Sequence, residues 1–243
     1  MAIWTLAIIT ISQAGLLLST NVLNEATDGV QGVPGLAAYA NAFLLFILPH
    51  SLIATSLLTA MLPSLSRAAA ADDRPLLAEQ YRRGLRLLAT AMVPIAVAMF
   101  ILAPQITALL FVLTGPSATN AIASILMILI LGLVPYGIYL LSQRVFHAYQ
   151  EGRPPFQLQV VITSVSVVAI IGAFFLPNQY TAMGIAAGQT AGQIVAATLA
   201  VIWVRRRIDS PDMSDVRRTY LGAFAASLMA AAPTLGIQLG LDT

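Results

Sequence analysis

Seven apolar stretches, at roughly 3–23, 36–62, 86–113, 119–143, 156–177, 181–204 and 219–241, limit what this chain can fold into more than any other feature. Each is near or above the ~20 residues that a helix needs to cross about 30 Å of hydrocarbon. Apart from His50, none carries a charged or basic side chain well inside. Lipid offers no partner to a backbone N–H or C=O, so only helices and closed barrels span it. Runs of this length without apolar–polar alternation are helical. Charged residues make up 9% of the chain, against about 25% in soluble domains. The expectation is an all-α fold, a polytopic membrane helix bundle of seven transmembrane helices in one transmembrane domain over residues 1–243.

The charges then orient the bundle. All twelve basic residues are arginine, and they fall on alternate connections. Residues 63–86 carry Arg67, Arg74, Arg82, Arg83 and Arg86; residues 144–155 carry Arg144 and Arg153; residues 205–218 carry Arg205, Arg206, Arg207, Arg217 and Arg218. The connections 24–35, 114–118 and 178–180 carry none. By the positive-inside rule the three arginine-bearing connections are cytoplasmic, with the N-terminus inside and the C-terminus outside.

The net charge of +2 and a pI near 9.2 do not mark a nucleic-acid binder, because the arginines lie in loops without interleaved aromatics. With no cysteine there is neither a disulfide framework nor a thiolate metal site. His50 and His147 are too far apart to share a helical turn, so no metal or cofactor is expected. No buried nucleophile–base pair supports an enzyme.

Residues 61–86, MLPSLSRAAAADDRPLLAEQYRRGLR, join the second run to the third. Pro63 is expected to end or kink the preceding helix. Asp72 and Asp73 before Pro75 form the pattern of an N-cap followed by an early proline. Leu76, Leu77 and Leu85 are expected to dip into the lipid interface while Arg82, Arg83 and Arg86 meet phosphates. The segment reads as a short in-plane cytoplasmic helix between two spans.

Polar and small residues within spans mark packing or a transport path. Gly184, Gly188 and Gly192, extended by Ala196 and Ala200, form a small-residue stripe that fits close packing against another helix of the same bundle. Pro49, Pro94, Pro104 and Pro135 suit kinked helices. Gln13, Asn21, Asn41, His50, Gln143, Gln189 and Gln193 are the intramembrane polar candidates. Gln189 and Gln193 adjoin the glycine stripe and are expected to hydrogen-bond across it. His50 follows Pro49, where a freed carbonyl could receive its ring; this structural role is favoured over a proton relay. Arg144, beside Gln143, is expected to anchor its helix by snorkelling or to receive cargo at the inner mouth.

Two motifs carry a family resemblance. Leu58 to Arg67 (LTAMLPSLSR), with Pro63, Ser66 and Arg67, is followed by an acid-bearing stretch and then by Gly84-Leu85-Arg86-Leu87. This resembles the MurJ (MviN) lipid II flippases of the MOP exporter superfamily, in which a span ends in Leu-Pro-x-x-Ser and the next is entered through Gly-Leu-Arg. Phe146-His147-Ala148-Tyr149-Gln150-Glu151-Gly152-Arg153-Pro154-Pro155 is similar to that family's Phe-Tyr-Ala-x-x-Asp-x-Arg-x-Pro turn, with His147 for Tyr and Glu151 for Asp.

The resemblance implies a partial MOP/MATE-like fold: the seventh to thirteenth helices of a fourteen-helix, two-lobe transporter. It also implies a multi-pass protein of the bacterial inner membrane. The cargo would be a lipid-linked peptidoglycan precursor with an anionic head group, moved by alternating access in cell-wall biogenesis. The N-terminal lobe, with the cations thought to grip the pyrophosphate, would be a partner lying outside these residues. Both ends read as cut, and no signal peptide is expected at the first run. Where many members place Asp-Arg after Tyr39-Ala40, this chain has Asn41-Ala42, so the lobe would offer no cavity arginine. Two other readings remain: another MOP-type exporter, of polysaccharide-lipid or drug/cation, and a non-transporting scaffold that docks a partner through its arginine loops.

Overall fold

A computed structural model describes residues 2–27, 35–208 and 213–241, with side chains described for 3–25, 35–208 and 213–231. Most of the connection 24–35, and residues 209–212 of the third arginine-bearing connection, lie outside the described residues. The described chain is helical: α1 (Ala2–Thr27), α2 (Leu36–Pro49), a π-helical turn (His50–Ala54), α3 (Thr55–Ala70), α4 (Arg74–Leu110), α5 (Pro116–Ile130), α6 (Leu133–Ala148), α7 (Arg153–Phe174), α8 (Asn178–Arg207) and α9 (Ser214–Leu241), with a 3-10 turn (Val112–Thr114) before α5.

Five segments are long and apolar enough to cross a membrane. They are α1, the combined α2–α3 segment, α4, α7 and α8. The bent pair α5–α6 makes a sixth. These six correspond to the first six apolar runs. The seventh run lies on α9, whose side chains are described only as far as Ala231. Among the described residues, five segments, or six with the bent pair counted as one, are thus candidate spans by length and composition, and the expected count of seven is not confirmed.

The separate in-plane helix expected between the second and third runs is absent, and the reason is local. α3 continues through Pro63 to Ala70, and α4 runs unbroken from Arg74 to Leu110. At 37 residues α4 is about 55 Å long, well beyond the hydrocarbon thickness, so its first turns extend the span outward instead of lying flat. Leu77 and Leu85 do not dip into lipid either; both are buried in the protein core. Leu76 alone of the three is exposed.

The turn between α3 and α4 is a double cap. The Asp73 N–H donates to Ala68 O and the Asp72 N–H to Ala69 O, with Asp72 at φ +46°, a Schellman closure of α3. Asp73 then caps α4, its carboxylate accepting from the Leu76 N–H at 3.0 Å, with Pro75 in the first turn as expected. The turn between α6 and α7 repeats the closure. Glu151 N–H donates to Phe146 O, Gln150 N–H donates to His147 O, and Gln150 sits at φ +57°.

Two spans are interrupted, each beside a proline. Pro49 has no N–H to give, and the register shifts through the π-helical turn, where the Thr55 N–H reaches back five residues to His50 O. α5 and α6 meet at Leu131–Gly132 with a bend of 44°. There Gly132 N–H donates to Leu129 O, and Pro135 lacks a donor for the preceding turn. Ile128 O receives the Thr190 hydroxyl of α8 at 3.0 Å instead. Gln193, also on α8, places its Oε1 against Gly132. This is a correction: Gln193 faces the α5–α6 break and makes no hydrogen bond through Oε1 across the glycine stripe.

The stripe itself packs α8 on α7. A Cβ on Gly188 would collide with the Ala169 Cβ, one on Gly184 would lie 2.9 Å from the Ala173 Cβ, and one on Gly192 would lie 3.0 Å from Ile162 O.

Candidate substrate path

On α2, Tyr39, Phe43 and Phe46 make a row of rings with centroids 6.4 and 5.7 Å apart. Their spacings of four and three place them on one side of the helix. Phe46 and His50 both lean on Tyr136 of α6, at 6.2 and 4.7 Å, and Tyr136 stacks on Tyr139 at 6.2 Å. His50 is buried, its Nε2 without a hydrogen-bond partner among the described residues.

From Tyr139 the row turns polar. The Gln143 amide donates to the Tyr139 hydroxyl at 2.6 Å, and that hydroxyl donates to Gln159 Oε1 on α7 at 3.2 Å. The Gln159 amide reaches Thr163 Oγ1 at 3.5 Å. All but Tyr139 are half-buried. Counting from the helix ends beside the α6–α7 turn, these groups lie about 7–15 Å into their helices.

The structure separates the sequence candidates. Gln143 belongs to this ladder. Arg144 is half-buried one position on, about 100° round the helix, and makes no ion pair among the described residues. Asn41 is half-buried on the α2 face of exposed Leu44 and Leu48, about 160° from the Tyr39 row. The structure does not bring it to Gln143. Gln13 and Asn21 are exposed on α1. Tyr139, Gln159 and Thr163 were missed as a group, although the i, i+4 spacing of Tyr139–Gln143 and Gln159–Thr163 was a readable signal.

The motif residues hold the arginine-bearing end together. Gly84 brings α4 against α3 and α6: a Cβ there would lie 2.7 Å from Met61 and 2.9 Å from Leu141. One turn earlier the buried Tyr81 hydroxyl shares a hydrogen bond with Ser142 at 2.8 Å. Arg86 and Ser66 are half-buried, Pro63 is exposed, and exposed Arg67 donates through Nε to Pro63 O at 3.3 Å. Phe146 and Pro155 are buried on either side of the α6–α7 turn, and Ala148 is half-buried. Arg153 lies 5.7 Å over the Trp4 ring of α1, and Trp4 also contacts Phe156 and Gly152. Glu151 accepts from Arg207 Nη2 at 3.0 Å and Nε at 3.2 Å, and Arg207 stacks over Tyr149 at 4.4 Å.

Burial raises the Tyr149 pKa; Arg207 and Arg74 lower it, while Asp72 and Glu151 raise it. One hydroxyl therefore feels charges from the α3–α4 turn, the α6–α7 turn and the end of α8. The arginine-bearing connections share one end of the bundle, and the start of α1 is there too.

Between α4, the α5–α6 break and α9 lies an apolar cleft of about 670 Å³, lined by residues including Val93, Phe100, Ile130, Val134 and Phe224. Its walls suit hydrocarbon and offer little to a polar head.

The model of the family described as lipid II flippase MurJ matches residues 1–241. The chain belongs to the MurJ lipid II flippase family. Among solved structures it is similar to "Lipid II flippase MurJ, inward closed conformation", with a TM-score of 0.72 and 19% identity. That similarity covers 91% of this chain and 45% of the other, so the chain spans under half the length of that MurJ structure. At this identity the likeness speaks for the fold, an all-helical MurJ-like membrane bundle.

Proposed function

We propose that this chain is the C-terminal lobe of an inner-membrane lipid II flippase that works by alternating access in cell-wall biogenesis. The observation that carries the reading is the family match along residues 1–241. The lobe contributes wall and hinge surfaces, and a second lobe supplies the cations that accompany the pyrophosphate. Asn41, Gln143 and Arg144 remain path candidates on different faces, with Arg144 at the cytoplasmic mouth. α9 is the seventh span, and the arginine-bearing end faces the cytoplasm, so the N-terminus is inside and the C-terminus outside. The protein is a transporter and performs no covalent chemistry.

The test is cellular. The full reading frame is expressed in bacteria depleted of their own lipid II flippase, and lipid II exposed on the outer leaflet is measured. Restored exposure is expected. Growth arrest with lipid II held inside would overturn the reading and favour another MOP-type cargo or a scaffold.

A further inference from the structure

We infer that the Gln143–Tyr139–Gln159–Thr163 ladder between α6 and α7 is a binding surface for the sugar–amide portion of a glycolipid head. The inference rests on the flippase reading and names the chemistry this lobe reads.

The ladder runs in one direction. Gln143 donates to Tyr139, Tyr139 donates to Gln159, and Gln159 donates to Thr163. These bonds use one N–H of each glutamine and leave each with a second. They also leave Gln143 Oε1 free to accept. A half-buried surface in a membrane span with both donors and acceptors unspent matches a partner that is itself both. A bare phosphate asks for donors and cations, and a metal ion asks for oxygen acceptors, preferably anionic. Sugar hydroxyls and acetamido groups ask for the mixture found here.

The adjoining rings point the same way. The half-buried Tyr136 lies beside the polar groups, its ring inclined by only 25° to that of the buried Tyr139. Amphipathic aromatics of this kind suit a ligand with an apolar ring face and a polar rim. The ladder also sits in the half of the bundle next to the arginine-bearing end, where cargo loaded from the cytoplasm would first enter.

A purely structural role is the competing account, since glutamines and hydroxyls brace membrane helices. Selectivity separates the two. In nanodiscs, binding of a polyprenyl pyrophosphate bearing the disaccharide–peptide is compared with binding of the same pyrophosphate without it. The parent chain should prefer the sugar-bearing lipid. Gln143→Leu with Gln159→Leu, and separately the near-isosteric Tyr139→Phe, should reduce that preference about tenfold while leaving affinity for the bare pyrophosphate unchanged. Gln157→Leu, on an exposed position of α7, should change neither. Retained preference in Tyr139→Phe and the double variant, with lower melting temperatures, would make the ladder a brace and overturn the inference while the flippase reading stands. A parent with no preference at all would also overturn the inference, while the flippase reading, whose cations lie in the second lobe, is judged by the cellular test.

Discussion

Arg207 spends two of its donors, Nε and Nη2, on a single oxygen of Glu151 while its guanidinium lies 4.4 Å over the Tyr149 ring. The end of α8 is thereby tied to the turn that starts α7. Both ionic side chains are over a third exposed, so the pair contributes only about 0.2–1 kcal/mol and is screened by salt. Arg207→Lys should lose the planar stacking along with the fork. A double-mutant cycle of Glu151→Gln and Arg207→Gln, read by unfolding in detergent, should give a coupling in that range that shrinks at high salt. A coupling unchanged by salt would mean the pair is more buried than it stands here.

Gly188 is where α7 and α8 leave no room for a side chain. Gly188→Leu should destabilise well beyond the ~0.5–1 kcal/mol of a glycine propensity change, since a Cβ there already collides with Ala169. Moving the methyl, as Gly188→Ala with Ala169→Gly, should recover part of the loss. Thermal unfolding in detergent measures both. Parent-like behaviour of Gly188→Leu would show that this face is not packed.

Gln150 holds the left-handed position of the α6–α7 turn without being glycine. Gln150→Gly relieves that strain but loosens the unfolded chain, for a net gain of up to ~1 kcal/mol, and Gln150→Val costs stability by a similar amount. Opposite shifts in melting temperature are expected. Equal losses would place the value of Gln150 in its side chain.

The α5–α6 bend depends on α8. Thr190→Val removes the hydroxyl that satisfies Ile128 O and should cost about 0.6–1.7 kcal/mol. Gly132→Ala should cost more, because its Cβ would strike Gln193 Oε1. The combination Gly132→Ala with Gln193→Ala should be milder than Gly132→Ala alone. If it is not, the contact is not what limits residue 132.

The first six apolar runs were legible as spans because hydrocarbon forces every backbone group into a helix, and the Asp73–Pro75 cap was legible because it is local. The in-plane helix was misread because Pro75 and the three arginines resemble a surface segment. What decides the matter is burial of Tyr81, Leu77 and Leu85 against other helices, which sequence spacing does not show. Gln193 was misassigned for the same reason: its neighbour on the α8 glycine stripe is visible in one dimension, while Gly132 is 61 positions away. The Tyr139–Gln159 link likewise joins two helices across a turn.

The central claim is that this lobe lines a path but cannot carry an anionic head alone, because every arginine lies at or near the connections and none at a span centre. Burying a pyrophosphate without paired cations is costly, and helix termini at about half a charge each are a weak substitute. The direct measurement is translocation of fluorescent lipid II in proteoliposomes holding residues 1–243, with and without a co-reconstituted N-terminal lobe. Translocation only when both are present is predicted. Robust translocation by residues 1–243 alone would contradict the account and mean that copies of this chain build a complete cavity between them.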